Sequence, residues 1–124
     1  MLPSADRLLE GLQFFVRRRG LDVQFERSLL VDALAHAEQL AAGEECDEPA
    51  ALFYACSCRP RAFGKAAPLI IPFLLQSQAR AVELELELGP DDIALVVLRL
   101  RVLRGEIAFD ELRGWFASRL RPVR

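Results

Sequence analysis

The sequence predicts a mainly α-helical domain, a bundle of about six helices with one short β segment near residues 80–88. Three observations lead to this fold class. Apolar residues recur at helical spacing through most of the chain, and Ser, Gly and Pro stand at the ends of those stretches. Residues 82–88 instead alternate strictly between apolar and acidic. The length of 124 residues is typical of one domain, so residues 1–124 are assigned to a single domain.

The N-terminal third predicts two amphipathic helices. Ser4 is a suitable N-cap for the first, and Gly20 ends it after three arginines that suit a helix C-terminus. Its apolar positions are Leu8, Leu9, Leu12, Phe15 and Val16. The second helix is predicted over residues 24–42, before Gly43, with apolar positions at Phe25, Leu29, Leu30, Ala33, Leu34, Ala37 and Leu40.

The middle of the chain predicts two helices separated by a basic loop. Residues 44–48 are polar and predict a loop, after which a short helix begins near Pro49 and ends before Pro60. Apolar residues then run over 66–75, where Pro72 removes one helical hydrogen bond and predicts a kink or a late start. The buried side of the short helix is predicted to contain Leu52, Phe53 and Cys56.

The last third predicts a strand followed by two helices. Residues 82–88 form the strand, Gly89-Pro90 a turn, and Asp91 or Asp92 the cap of the next helix. That helix ends at Gly105 and carries Ile93, Val96, Val97, Leu100 and Leu103 on one face. The last helix is predicted over residues 109–120, burying Phe109, Leu112, Trp115, Phe116 and Leu120.

Residues 98–102 also alternate, and this leaves a second interpretation of the same region. They would pair with residues 82–88 in a hairpin, so that the glutamates of one strand face Arg99 and Arg101 of the other. The connecting loop would be longer than hairpin loops usually are. Acids before the segment and arginines at its end favour the helix.

Composition argues against several functional classes. The net charge of -2 gives no electrostatic reason to expect a nucleic-acid partner. No apolar run reaches the ~18 residues of a membrane span, and no signal peptide is evident, so we expect a cytoplasmic protein without a membrane partner. The single His36 and the thiols of Cys46, Cys56 and Cys58 do not complete a four-ligand metal site. Because 52% of the residues are hydrophobic, some apolar surface is available for a protein partner.

Three stretches have the order and spacing of motifs in one known domain family. Residues 29–34 read L-L-x-x-A-L, residues 50–56 form an apolar helix that leads into a loop, and residues 105–115 read G-x-x-x-x-x-x-L-x-x-W. Between them, Phe73-Leu74-Leu75 falls where a post-loop helix ends in a similar Phe-Leu. In this order the chain resembles the Fic/Doc (death-on-curing) family over about residues 29–120. The resemblance implies a compact helical domain of bacterial toxin–antitoxin type.

The active loop of that family reads H-x-F-x-[DN]-G-N-K-R, and its Doc branch commonly has Pro at the second position. On residues 59–67, Pro60 and Gly64 match this pattern. Arg59 occupies the place of the catalytic His, and Phe63 that of the acid that holds Mg²⁺. The remaining places of Phe, Asn, Lys and Arg are taken by Arg61, Lys65, Ala66 and Ala67.

Members of the family transfer AMP or a phosphate to a protein hydroxyl, with the His as base and the acid placing the metal. Arg59 cannot serve as that base because arginine stays protonated, and Phe63 offers no oxygen ligand. The resemblance therefore implies a degenerate, catalytically inactive domain with no catalytic residue, no metal and no cofactor. Its expected role is protein binding, with a small antitoxin-like helix docked in an apolar groove. A homo-oligomer is the other kind of partner left open.

The same loop keeps four candidate residues for holding a nucleotide phosphate. Three positive charges lie beside a glycine at the start of a predicted helix, a combination that suits anions. The candidates are Arg59, Arg61, Gly64 and Lys65. The plain alternative is a solvated basic loop.

Two further hypotheses remain open. One is an active nucleotidyl or phosphoryl transferase with non-standard residues, and only this hypothesis requires a nucleotide with Mg²⁺. Its acids would come from Glu44, Glu45, Asp47 and Glu48. The other is an unrelated helical adaptor or oligomer subunit whose residues 82–88 pair edge to edge between copies, so that charged residues at Leu84 and Leu86 would give monomers.

Overall fold

The computed structural model describes residues 1–87 and 93–123. In these residues the chain forms the helices α1 (Ala5–Arg18), α2 (Arg27–Ala41), α3 (Glu48–Ser57), α4 (Ala67–Ala81), α5 (Ala94–Leu103) and α6 (Phe109–Ala117), and the short strands β1 (Leu84–Leu86) and β2 (Leu120–Pro122). The mainly helical fold class with a short β segment is therefore confirmed. None of the helices described is long and apolar enough to cross a lipid bilayer. The predicted Gly89-Pro90 turn and the Asp91 or Asp92 cap lie outside the described residues.

The first two helices form as predicted, with one shifted boundary. The Ser4 side chain caps α1 by accepting a hydrogen bond from the Arg7 N–H at 3.2 Å. Four of the predicted apolar residues of α1 are buried, namely Leu8, Leu12, Phe15 and Val16. The second helix begins at Arg27 rather than near Gln24, because Glu26 has extended backbone. Its buried face consists of Leu30, Ala33, Ala37 and Ala41.

The centre of the core is α3, which packs against α2, α4, α5 and α6. Every residue of α3 except Tyr54 is buried, as is typical of a helix that is apolar on all sides. The predicted burial of Leu52, Phe53 and Cys56 is confirmed. Phe53 meets Phe116 of α6 edge to face, with ring centroids 5.3 Å apart.

The fourth helix continues through the position where the sequence predicts a kink or a late start. It begins at Ala67, includes Pro72 and ends at Ala81, so the late start is wrong. Proline removes a single helical hydrogen bond, whereas several side chains beyond it are buried in the core. Tertiary packing therefore extends the helix past the proline. The buried side chains in and after that turn are Leu74, Leu75, Gln78 and Ala79.

The β segment is shorter than predicted and pairs with another part of the chain. β1 lies antiparallel to β2, with Leu86 opposite Leu120. The strand starts only at Leu84 because Glu83 has a φ of 62°, in the left-handed region. The hairpin with residues 98–102 is wrong, since these residues belong to α5. The predicted extension of the last helix to Leu120 is wrong as well, because α6 ends at Ala117. Of its predicted buried residues, Leu112 and Phe116 are buried, whereas Phe109, Trp115 and Leu120 are partly buried.

The periodicity of the fifth helix suggests one apolar face as its core side. In the structure the opposite face packs against the core. Its buried residues are Leu95, Leu98 and Val102. The predicted face lies outward, because α5 is apolar on two sides and the helix period cannot tell which side the rest of the domain covers. The outward residues are Ile93, Val96, Val97, Leu100 and Leu103, of which Leu100 is half-buried and the others exposed.

The three cysteines are free thiols that differ in exposure. Cys46 and Cys58 are exposed, whereas Cys56 lies inside α3, where burial raises the pKa of its thiol to about 12. Since the thiolate is the reactive form, we expect Cys46 and Cys58 to react with a disulfide reagent in the native protein. Cys56 should react only after unfolding in guanidinium, as measured by mass spectrometry of the labelled peptides. Rapid labelling of native Cys56 would contradict its position in the core.

Candidate functional site

The basic loop between α3 and α4 consists of two consecutive 3-10 turns, Pro60–Ala62 and Gly64–Ala66. Gly64 begins the second turn with a φ of +56°, a conformation that glycine adopts without steric cost. The side chains of Ala62 and Phe63 are fully buried and connect the loop to the core. The loop is therefore a packed part of the domain with a fixed backbone path.

Arg59, the residue just before the first of these turns, is turned toward the protein. Its Nη1 donates to the carbonyl oxygen of Ala55 and to Nδ1 of His36, both at 2.9 Å. The Ala55 carbonyl is in the last turn of α3, where a positive charge is favourable. Because a guanidinium has no acceptor, Nδ1 must accept, and the neutral ring carries its proton on Nε2. Arg59 is thus engaged in holding α2 and α3 together.

His36 is the residue that sequence reasoning missed. It lies on α2, far along the chain from the loop, and the structure places its ring against Arg59. Its ring also meets Tyr54 edge to face at 5.9 Å, and Tyr54 meets Phe109 at 5.7 Å. No spacing rule connects residues 23 positions apart, so only the packing of α2 on α3 shows this contact.

Acid is expected to weaken the Arg59–His36 contact. The pKa of His36 is lowered by burial and, second, by the positive charge of Arg59. The unfolded chain therefore takes up a proton that the folded chain resists, and the free energy of unfolding should fall as the pH drops below the ordinary histidine pKa of ~6.5. Urea unfolding well above and well below that pH measures the effect. The free energy of unfolding of the wild type minus that of His36→Gln should decrease on acidification. A difference that stays constant or grows would contradict the contact between neutral His36 and Arg59.

The other three candidate residues face solvent. Arg61, Gly64 and Lys65 are exposed, and within the described residues no carboxylate forms a salt bridge with either basic side chain. Directly after them α4 begins at Ala67, and no side chain caps its N-terminus. Two cations beside an uncapped helix start are able to attract an anion. Their role as phosphate-holding residues remains a prediction.

Phe63, between the two turns, offers the loop no metal ligand. Its side chain is 0% exposed within the core. A phenyl ring supplies no oxygen for Mg²⁺. An anion at this loop would therefore meet cations only, with no position for a ligand acid at residue 63.

The acidic segment at residues 44–48, the alternative source of catalytic groups, contacts other parts of the chain. The buried Glu48 accepts from Gln78 Nε2 at 3.2 Å and contacts the Met1 ammonium at 3.0 Å. Asp47 lies 3.7 Å from Arg113. Within the residues described, no group of three or more His, Cys, Asp or Glu side chains is placed to hold a metal ion. Glu45 also contacts the Met1 ammonium, at 3.6 Å, so it shares this partner with Glu48, whereas Asp47 contacts Arg113.

An apolar groove lies away from the loop, between α1 and α4. Its volume is about 500 Å³, and Leu52 of α3 contributes to its lining. The apolar side chains around it include Leu8, Leu12, Phe73 and Leu74. It is a second concave surface able to take an apolar ligand.

The chain matches no protein family model, no curated protein and no solved structure. What the loop and the surrounding surfaces can bind therefore has to be inferred from their own residues. The loop combines an arginine turned toward the protein, Arg59, with the buried Phe63 and two exposed cations, Arg61 and Lys65.

Proposed function

We propose that the chain is a degenerate Fic/Doc-like domain that lacks transferase chemistry and acts by binding another protein. The direction of two loop side chains carries this proposal. Arg59 donates inward to Ala55 and His36, and Phe63 is buried in the core. On this proposal, a permanent cation, Arg59, occupies the position of the catalytic base. An aromatic ring, Phe63, occupies the position of the metal ligand. On this proposal the domain derives from the toxin of a toxin–antitoxin pair, is cytoplasmic and binds a small antitoxin-like helix.

The apolar surface supports a binding role. Large apolar side chains are exposed on four helices, including Phe14 of α1, Leu69 of α4 and Val97 of α5. Scattered exposed apolar residues are ordinary, but several on one helix form a contiguous surface that a partner can cover. α5 carries the largest number of them.

A label-transfer assay tests the absence of transferase chemistry. The protein is incubated with Mg²⁺ and ATP labelled at the α or the γ phosphate, together with a mixture of bacterial proteins. We expect no transfer of either label to protein, because the loop has no His, Asp or Glu to accept the hydroxyl proton. Mg²⁺-dependent transfer above that of a boiled sample would overturn the proposal and favour the active transferase with non-standard residues.

A phosphate-holding loop is the second candidate, favoured by the exposed cations at the start of α4. A nucleotide at 100 times its Kd adds ~2.7 kcal/mol of stability, which for this size of domain raises the Tm by several degrees. Thermal unfolding with ATP, ADP, GTP or CTP, each with and without Mg²⁺, measures it. A rise that Lys65→Ala abolishes would support this candidate; no rise with any nucleotide would leave protein binding alone.

A further inference from the structure

The outer face of α5 is an apolar surface that residues 1–87 and 93–123, the part of the chain that the structure describes, leave uncovered. We call it the α5 stripe, and define it as Ile93, Val96, Val97, Leu100 and Leu103. Ile93 is 61% exposed, Val97 48% and Leu103 44%. We propose that the α5 stripe binds an acidic amphipathic helix of another protein. This inference rests on the proposed binding function and specifies its surface and the chemistry of its partner.

The spacing of the stripe is that of a helix-packing seam. Its residues recur at i, i+3, i+4, i+7 and i+10, the pattern by which one helix packs along another. At 3.6 residues per turn, the stripe lies nearly opposite the core face formed by Leu95, Leu98 and Val102. A helix with two apolar faces, one of them buried in the core, presents the other to a second helix.

The charges beside the stripe determine what that second helix must carry. By helical geometry, Arg99 lies on one flank and Arg101 on the other, and Arg104 follows at the C-terminal end. Residues 93–104 contain no acidic side chain, and among the described residues no carboxylate lies within 4.0 Å of these three guanidinium groups. Flanking charges decide the partner in helix pairs, so the complementary helix has Glu or Asp on both flanks.

A second copy of the chain fits this surface less well. Pairing α5 with itself in parallel would bring arginines from both copies to the same seam, because the nearest acids in the sequence, Asp91, Asp92 and Glu106, come before or after residues 93–104. A helix of ten residues spans only ~15 Å, whereas each side of a stable protein interface buries ~800 Å². A reversible contact with one short helix, steered by opposite charge, suits the size of the stripe.

Two synthetic peptides test the partner chemistry. Both are labelled helices with the same leucine seam; one has glutamates on its flanks and the other lysines. Fluorescence anisotropy should show at least ~10-fold tighter binding of the glutamate peptide. Val97→Asp should weaken that binding ~10-fold, and Arg101→Glu should shift the preference toward the lysine peptide. Val31→Asp on α2 is the matched control, because Val31 is 40% exposed, and its binding should equal wild type.

Each contrary result has a distinct meaning. Equal binding of both peptides, or binding that Val97→Asp leaves unchanged, would overturn the assignment of this surface. A dimer in light scattering that Val97→Asp converts to monomers would overturn it in favour of a second copy. Circular dichroism and the protection of Cys56 verify that each variant is folded. Label transfer in the nucleotide assay would end the proposed function itself, whereas failed peptide discrimination without label transfer would end only this inference.

Discussion

Phe63→Asp, which places an acid where the proposed likeness to the Fic/Doc loop would call for a metal ligand, is expected to leave most of the protein unfolded. Phe63 is fully buried. Loss of a buried aromatic side chain costs ~3–5 kcal/mol, and a buried carboxylate without a partner adds several kcal/mol more, on the order of 2–7. Together these approach or exceed the whole stability of a typical domain, ~5–15 kcal/mol. Far-UV circular dichroism and urea unfolding measure the outcome.

Two controls separate the effect of charge from that of position. Phe63→Leu keeps the site apolar and should cost less than ~1.5 kcal/mol if the core repacks around it. Lys65→Asp places the same acid two residues away on an exposed side chain and should change stability by less than ~0.5 kcal/mol. A folded Phe63→Asp protein whose Tm rises with Mg²⁺ would mean that residue 63 is able to turn to solvent. The loop would then be closer to an active one than its packing indicates.

Phe53→Ala is expected to be the most damaging simple truncation in the central helix. The side chain is 1% exposed and lies against Phe116, so its removal leaves a cavity between α3 and α6. The expected cost is ~3–5 kcal/mol, and at roughly 4 °C per kcal/mol this lowers the Tm by about 12–20 °C. Calorimetry or thermal circular dichroism measures the shift.

Phe14→Ala is the matched control, because Phe14 is 61% exposed on α1 and its loss should fall within ~0.5 kcal/mol. The double variant Phe53→Ala, Phe116→Ala should cost less than the sum of the two single changes, because the rings share one contact at 5.3 Å. Equal losses for Phe14→Ala and Phe53→Ala would contradict the central position of α3.

Local signals in the sequence predicted most helix positions correctly. The Ser4 cap, the proline at the start of α3 and the long apolar periods are short-range features whose effects are settled within a few residues. The predicted helix boundaries were less reliable where side-chain packing in the core opposed a local sequence preference. Pro72 predicted an interruption, yet the buried residues that follow it keep α4 continuous.

The candidate site was predictable in part. The position of the basic loop between two helices, and the presence of Arg59 and Phe63 in it, are readable from residues in sequence order. The direction of those side chains is not. Arg59 meets His36 and Phe63 enters the core only because α2, α3 and α4 pack together around the loop.

The sequence by itself determined the helical class, the order of the helices and the identity of the loop residues, because these depend on spacing and on side-chain chemistry. Tertiary structure decided which of the two apolar faces of α5 became core and which became the stripe. It also decided that the alternating segment at β1 pairs with β2 rather than with residues 98–102. The physical reason is the same in both cases. Hydrophobic burial and strand pairing lower the free energy of the fold with any suitable partner. The packing of the whole chain selects which partner is used.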